Sequence, residues 1–328
     1  MKKTFLFLAS LILLAGCIEN HIQPESNTQV PGADETTVMP TEEAEITATS
    51  PSTPISTLTS TPIVRPTLPP TYTVDQAYAE LLELLESNGG CQIPCIVGLD
   101  PLGSTSDDAL VALSPLSSIT SFLAHEEGDS YFYFDVPINN NLLIIDISYS
   151  LKHDRDIIEV LYLYAELLRE IEDGFEVVFD SPEFYRILEP FSLKSILMTY
   201  GRPDEIYIQA DLMQIDEPIP YHPFYLLLAY PDKGFFIEYV SSIEQQEGKV
   251  IACPVHSYFR IWTFREEDDV DFREILENDP NFKYYLPDFP GYKPIAEATE
   301  IGVDEFYELY LGNEQYCLES PREIWPYP

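Results

Sequence analysis

The sequence predicts an α+β fold: two similar units of short helix plus antiparallel strands, with flanking N- and C-terminal helices. Three observations point to it. Apolar residues recur at helical spacing behind clear caps, as in Val74, Ala77, Tyr78, Leu81, Leu82 and Leu85 after the capping box Thr73-Val74-Asp75-Gln76. Strand-like runs flank tight turns at Asn139-Asn140-Asn141 and Pro231-Asp232-Lys233-Gly234. The order helix, hairpin, further strand then occurs twice along the chain.

The first helix is expected to stop at Asn88-Gly89-Gly90. A second, capped by Thr105 with Asp108, runs to Leu113 and ends at Ser114-Pro115. Strands are predicted over Tyr131 to Val136 and Leu142 to Tyr149. In the latter Leu143, Ile145, Ile147 and Tyr149 share one face, opposite Asp146 and Ser148. Ile157 to Glu166 suits either strand or helix, and its β-branched start with Tyr162 and Tyr164 favours a third strand. Ser192 caps a helix through Tyr200, which Gly201 ends in the left-handed position, with Pro203 barring continuation. Strands follow over Glu205 to Gln209, Tyr225 to Tyr230, Phe235 to Val240 and Tyr258 to Phe264. A short helix with Phe272, Ile275 and Leu276 on one side comes next, then a loop of aromatics and prolines. The last helix, Val303 to Leu311, stops at Gly312.

The N-terminal 72 residues do not fit a core. Lys2 and Lys3 precede an apolar run from Phe5 to Leu14, half the roughly 20 residues of a spanning helix, which is the layout of a secretory signal peptide. Leu14-Ala15-Gly16-Cys17 resembles the lipobox of bacterial lipoproteins. That resemblance implies lipidation of Cys17 and a location outside the cytoplasm, anchored to the bacterial membrane by lipid. Two or three acyl chains make release negligible. From Ile18 to Thr71 the chain is Thr, Ser, Pro and Glu, too poor in apolar surface to offset its ordering entropy, so a disordered tether is expected. As a flexible coil it would span roughly 40 Å root-mean-square. The expected organisation is thus 1–16 signal peptide, 17–72 lipidated Cys and tether, 73–185 first unit, and 186–328 second unit with a helical extension. The two units are expected to pack as one body.

Charge narrows the partners. The chain has 17 basic and 56 acidic residues, and loss of the signal peptide leaves 15 against 56, a net charge of −41. Such a polyanion repels phosphate backbones and anionic headgroups, so nucleic acid is a poor partner and membrane contact is expected through the lipid alone. With Cys17 set aside, Cys91, Cys95, Cys253 and Cys317 can form two disulfides in an exported protein. Three pairings are formally open, and Cys91 with Cys95 and Cys253 with Cys317 is favoured. A four-cysteine metal site would need two tight Cys-x-x-Cys knuckles, which are absent from the sequence.

Cys91-x-x-Pro94-Cys95 with Gly98-Leu99-x-Pro101 and Ser104-Thr105 resembles a group of bacterial lipoproteins with the same Thr/Pro-rich tether. In that group a segment like Ile196-Leu197 through Tyr200-Gly201-Arg202-Pro203-Asp204 is also typical. More distantly, the pattern of short helix, Gly-x-Pro and strand is similar to the small α/β lipoproteins of the SmpA/BamE type. The first copy here departs from it, with Asp100-Pro101-Leu102-Gly103 after Leu99. The first resemblance implies no activity.

Signatures of catalysis are absent from the sequence: no Gly-x-Ser-x-Gly elbow, no His-Glu-x-x-His, no phosphate-cradling glycine loop and no Ser-x-x-Lys. No two of the five histidines lie within four residues. Lys152-His153-Asp154-Arg155-Asp156 reads as a charged turn. Glu266 to Asp271 lacks the glycine and terminal glutamate of a calcium loop and reads as a solvated helix start. No metal or cofactor is expected. The aromatic loop, with Tyr284, Tyr285, Phe289 and Tyr292, is the candidate recognition surface, since rigid aromatics stack on sugars or peptide edges at low entropy cost. The expected function is therefore binding or scaffolding at the cell envelope, with an envelope protein or glycan as partner. The alternative is an envelope hydrolase using carboxylates on glycan or peptide.

Overall fold

Local signals set the helices. In the computed structural model, which describes residues 67–101, 103–124, 130–151, 156–172, 174–178, 181–212, 223–254, 258–264, 291–313 and 316–325, helix α1 spans Val74–Ser87. The Thr73 hydroxyl accepts the Gln76 N–H, and the Gln76 carboxamide accepts the Thr73 N–H at 3.1 Å, closing the capping box. Thr105 and Asp108 repeat the device at α2, Ser106–Leu113. Ser181 caps α3, Pro182–Ile187, and Ser192 caps α4, Leu193–Tyr200. Gly201 ends α4 with φ 78° and ψ −156°, a glycine-only conformation but not the left-handed helical one the sequence suggests. Ile295–Ala298 (α5) and Val303–Gly312 (α6) complete the set near the C-terminus.

The strands are β1 Thr120–Ala124, β2 Ser130–Ile138, β3 Asn141–Leu151, β4 Ile158–Ile171, β5 Gly174–Val177, β6 Glu205–Ala210, β7 Pro223–Tyr230, β8 Phe235–Gln246, β9 Lys249–Ala252, β10 Tyr258–Thr263, β11 Lys293–Pro294 and β12 Leu318–Pro321. All are linked in one antiparallel sheet of order β1-β2-β3-β4-β10-β8-β7-β6-β11, with β5, β9 and β12 off that path. Ile157 onward is a strand, which resolves the ambiguity of that stretch. The two runs of strands meet where β4 pairs with β10, Ala165 opposite Phe259 and Leu163 opposite Ile261. The Phe264 N–H donates to the Gly234 carbonyl at 2.8 Å, and a Cβ on Gly234 would lie 2.6 Å from the Phe264 carbonyl oxygen, so φ +70° and close approach both require glycine there.

Side-chain alternation divides the sheet into two faces. One is mainly apolar: Phe132, Phe134, Leu143, Ile145, Ile147, Leu161, Leu163, Phe259, Ile261, Phe235, Ile237, Leu226, Leu228, Ile206 and Ile208 are all buried, with Thr263 and Ser241 among them. Burying each such side chain contributes about 1.5–3 kcal/mol. The helical layer packs here. Phe191 stacks on Phe259 with ring centroids 5.4 Å apart, Tyr239 donates its hydroxyl to the Phe191 carbonyl, and Tyr200 of α4 meets Phe235 edge-on. The fold class is thus α+β, with helices before, between and after the strands.

Disulfides join Cys91 to Cys95 and Cys253 to Cys317. The second flanks the paired residues Ala252 and Leu318, fastening β12 to β9 and so to the distal end of β8.

Candidate functional site

The second face of the sheet is polar and aromatic. Tyr133, Asp146, Tyr164, Arg260 and Glu238 stand opposite one another in a single cross-strand row over β2, β3, β4, β10 and β8. The adjacent row holds Tyr131, Ser148, Tyr162, Trp262 and Phe236. Directly opposed residues have Cβ atoms about 4.5–5.5 Å apart, so each row is a line of contacting side chains.

Its centre is buried. Glu238 has no exposure, receives a hydrogen bond from the Tyr292 hydroxyl, and lies 3.3 Å from the Arg260 guanidinium. Burial pushes the Glu238 carboxyl upward, while Arg260 and Tyr292 pull it back. Arg260 also lies over the rings of Tyr164 and Tyr258, at 5.7 and 6.0 Å from their centroids. Tyr162 and Phe236 pack on Trp262 at 5.5 and 5.3 Å.

The β2–β4 end is more open. Tyr133 is 40% exposed, Tyr131 and Tyr164 are half-buried, and Asp135 is exposed. Four tyrosines frame two acceptors here: Asp146 lies between Tyr133 and Tyr164, Ser148 between Tyr131 and Tyr162. Tyr164 donates to Glu166, whose carboxyl burial shifts upward against the pull of that hydroxyl and of Arg260. Desolvation raises Asp146 to about 6. Its Oδ1 has no hydrogen-bond partner, and neither has the hydroxyl of Ser148, a residue only 4% exposed. Buried polar atoms are nearly always partnered, and the Ser150 hydroxyl and the Trp262 indole N–H on the same face are orphaned too, so this face carries several uncompensated buried polar groups.

A concavity lies beside the disulfide loop. Asn88, in the left-handed conformation at φ 50°, is 3% exposed. Its side-chain amide donates to the carbonyls of Cys91 (3.1 Å) and Cys95 (2.9 Å), and its Oδ1 accepts the Val97 N–H at 2.7 Å. The disulfide loop is thereby wrapped on one side chain. Tyr200 accepts the Ile93 N–H, and between these segments opens a cleft of about 330 Å³, edged by Gln92, Glu189, Ser195 and the exposed Met198.

Of the residues singled out from sequence, Cys17, Tyr284, Tyr285 and Phe289 lie outside the described residues, as do the tether and the Phe272–Leu276 helix. Tyr292 is 9% exposed, its ring near Tyr225 and its hydroxyl on Glu238, so it serves the buried network rather than presenting a free ring. The tyrosine frame was hidden in the sequence: alternation places Tyr131 with Tyr133 and Asp146 with Ser148, but only the register joins them. Among the described residues no helix is long and apolar enough to cross a membrane, and no cluster of three or more metal-ligating side chains occurs. Scans against protein-family profiles, curated proteins and solved structures match none of them.

Proposed function

We propose that this chain is an extracytoplasmic lipoprotein, held to the bacterial membrane by lipid on Cys17, that binds an envelope glycan or protein through the β2–β4 end of the polar sheet face. The observation that carries the reading is the frame of Tyr131, Tyr133, Tyr162 and Tyr164 around Asp146 and Ser148, beside the exposed Asp135. Tyrosines give contact area for sugar or peptide at small entropy cost, and carboxylates accept hydrogen bonds from hydroxyl or amide donors. The tether would let the site search a shell around its anchor.

Two experiments test the two halves of this. A Cys17→Ser chain should leave the membrane fraction, and its retention there would overturn the anchor. Cross-linked envelopes should yield a partner with the native chain and lose it with Tyr133→Ala. Equal capture by both would remove the site.

One observation favours a second reading, hydrolysis. Asp146 pairs with Tyr164 and Ile144 with Glu166, so the two acids are diagonal neighbours, roughly 7–8 Å apart at the backbone, and burial raises both. Carboxyl groups flanking a scissile glycosidic bond stand at about 5 to 10 Å. Release of reducing sugar from peptidoglycan by the native chain and not by Glu166→Gln would support it.

A further inference from the structure

The cleft beside the disulfide loop stands apart from the proposed binding face and shares none of its residues. At about 330 Å³ it lies at the small end of ligand pockets, with room for a side chain and a short stretch of its backbone. Two segments far apart in sequence form its walls: Gln92 and Ile93 of the disulfide loop on one side, α4 with the preceding Glu189-Pro190 on the other. The Tyr200 hydroxyl, which accepts the Ile93 N–H at 2.8 Å, fixes their spacing.

Several polar groups of the cleft keep bonding capacity. Burial pushes the Tyr200 phenol above its usual range, against the pull of the Ile93 N–H, so its proton is in place. That proton has no acceptor among the described residues. The Gln92 carboxamide is exposed and likewise without a partner among them. Glu189 accepts the Ser195 hydroxyl on Oε1 at 2.6 Å, which holds the carboxylate against the wall and leaves Oε2 unused. No basic residue lines the cleft, and Lys194, one turn before Met198 on α4, lies outside the lining and is engaged elsewhere. The surface between these groups is apolar and adaptable: Pro190, and Met198 at 66% exposure with a flexible thioether. The one ring in the lining, Tyr200, packs on Tyr230 and Phe235 with centroids 6.3 and 4.9 Å away, so the platform on which a sugar would stack is taken.

We infer that this cleft binds a lysine or arginine side chain of a partner polypeptide, with the aliphatic stem along Met198 and Pro190, the charged head on Glu189, and the peptide backbone on the Tyr200 hydroxyl and the Gln92 carboxamide. A lone carboxylate in an otherwise uncharged lining selects a cation, and a phenol proton calls for a carbonyl. Together they describe a basic residue within a peptide rather than a free amine. A long basic side chain also suits the walls, since its stem buries against apolar surface while its head stays at the polar edge. The net charge of −39 on the whole chain attracts any cation, so selectivity must be traced to Glu189 itself.

The test follows methionine methyl groups by carbon-13 NMR in the full chain in non-ionic detergent. The chain has four methionines, and Met198→Leu assigns the one at the cleft. Blocked tripeptides with alanine on either side of arginine, lysine, norleucine or glutamate are titrated in, and N-acetylglucosamine alongside them. The arginine or lysine peptide should shift the Met198 methyl to saturation and bind about threefold or more tighter than the norleucine peptide, the tighter of the two naming the head group. In Glu189→Gln, an exposed substitution checked for folding by circular dichroism, the methyl should still shift but the preference for a cation should vanish. A preference that survives Glu189→Gln would show the charge of the whole chain at work and overturn the site. So would equal affinity for the norleucine or glutamate peptide, a methyl that moves with N-acetylglucosamine and with neither basic peptide, or a methyl that no probe moves. Tyr133→Ala should leave these affinities unchanged, which separates this cleft from the β2–β4 face; their loss in that variant would overturn the cleft as the seat of binding.

Discussion

The hydroxyl of Tyr200 accepts the backbone N–H of Ile93 at 2.8 Å, joining segments 107 residues apart. Ile93 lies inside the disulfide loop, and Tyr200 closes α4 just before Gly201-Arg202-Pro203. The two sequence motifs that stand out in the chain are thus in direct contact. Tyr200→Phe keeps the ring against Phe235 and leaves a buried N–H unpaired, at a cost of about 1–3 kcal/mol. Urea unfolding should report that loss, and the Ile93 amide should exchange faster.

Arg260 and Glu238 give a larger effect. Glu238 is fully buried, so Arg260→Met strands a carboxylate, and destabilisation of about 3–5 kcal/mol is expected. Replacing both, as Arg260→Met with Glu238→Leu, should recover most of it. The comparison of single and double variants by denaturant midpoint checks this, and a double variant no better than the single one would contradict it.

Asp146 makes stability depend on pH. Tyr133, Tyr162, Tyr164, Glu166 and Arg260 are among the ionisable groups near it on this face, and desolvation is the cause of its rise from 3.8 to about 6. The folded state therefore favours the protonated acid. Its stabilising contribution is full below pH 3.8 and is lost as pH climbs to about 6, a change of about 3 kcal/mol. Asp146→Asn should remove that slope and raise stability at pH 7.5, as read by urea titration at several pH values.

The two disulfides should differ in weight. Closing a loop of 64 residues, Cys253–Cys317 should contribute about 4 kcal/mol, against about 2 kcal/mol for Cys91–Cys95, four residues apart. Serine pairs at each site, compared by thermal melting under oxidising conditions, test the ranking. Hydrogen exchange in the first variant should speed up in β9 and β12.

Helix starts were legible because they are local. Thr73, Thr105 and Ser192 bond to groups three residues on, and each cap lies where its side chain predicts. The hairpins around Asn139-Asn140 and Pro231-Asp232-Lys233-Gly234 were legible for the same reason. β1, β5, β9 and β12 were not, since each is short and depends on a partner strand for its definition. Asn88 reads as a helix stop; that its amide organises Cys91, Cys95 and Val97 is a matter of three dimensions. Tyr292 stands in a stretch that reads as an open recognition loop, but its acceptor, Glu238, is 54 residues away. The tyrosine frame needs the β2–β3–β4 register, which no single strand's pattern contains.

The junction between β4 and β10 has a consequence for how the chain reaches this state. The β2–β3 hairpin closes through a two-residue turn, whereas Phe259 finds Ala165 across 94 residues. Loop closure over that distance must be paid in entropy before any contact rewards it, so each meander can assemble early and the junction is the slow, late event. Until it forms, two unpaired strand edges are open to other chains. High dilution should therefore favour refolding, and crowding of newly made chains should favour aggregation.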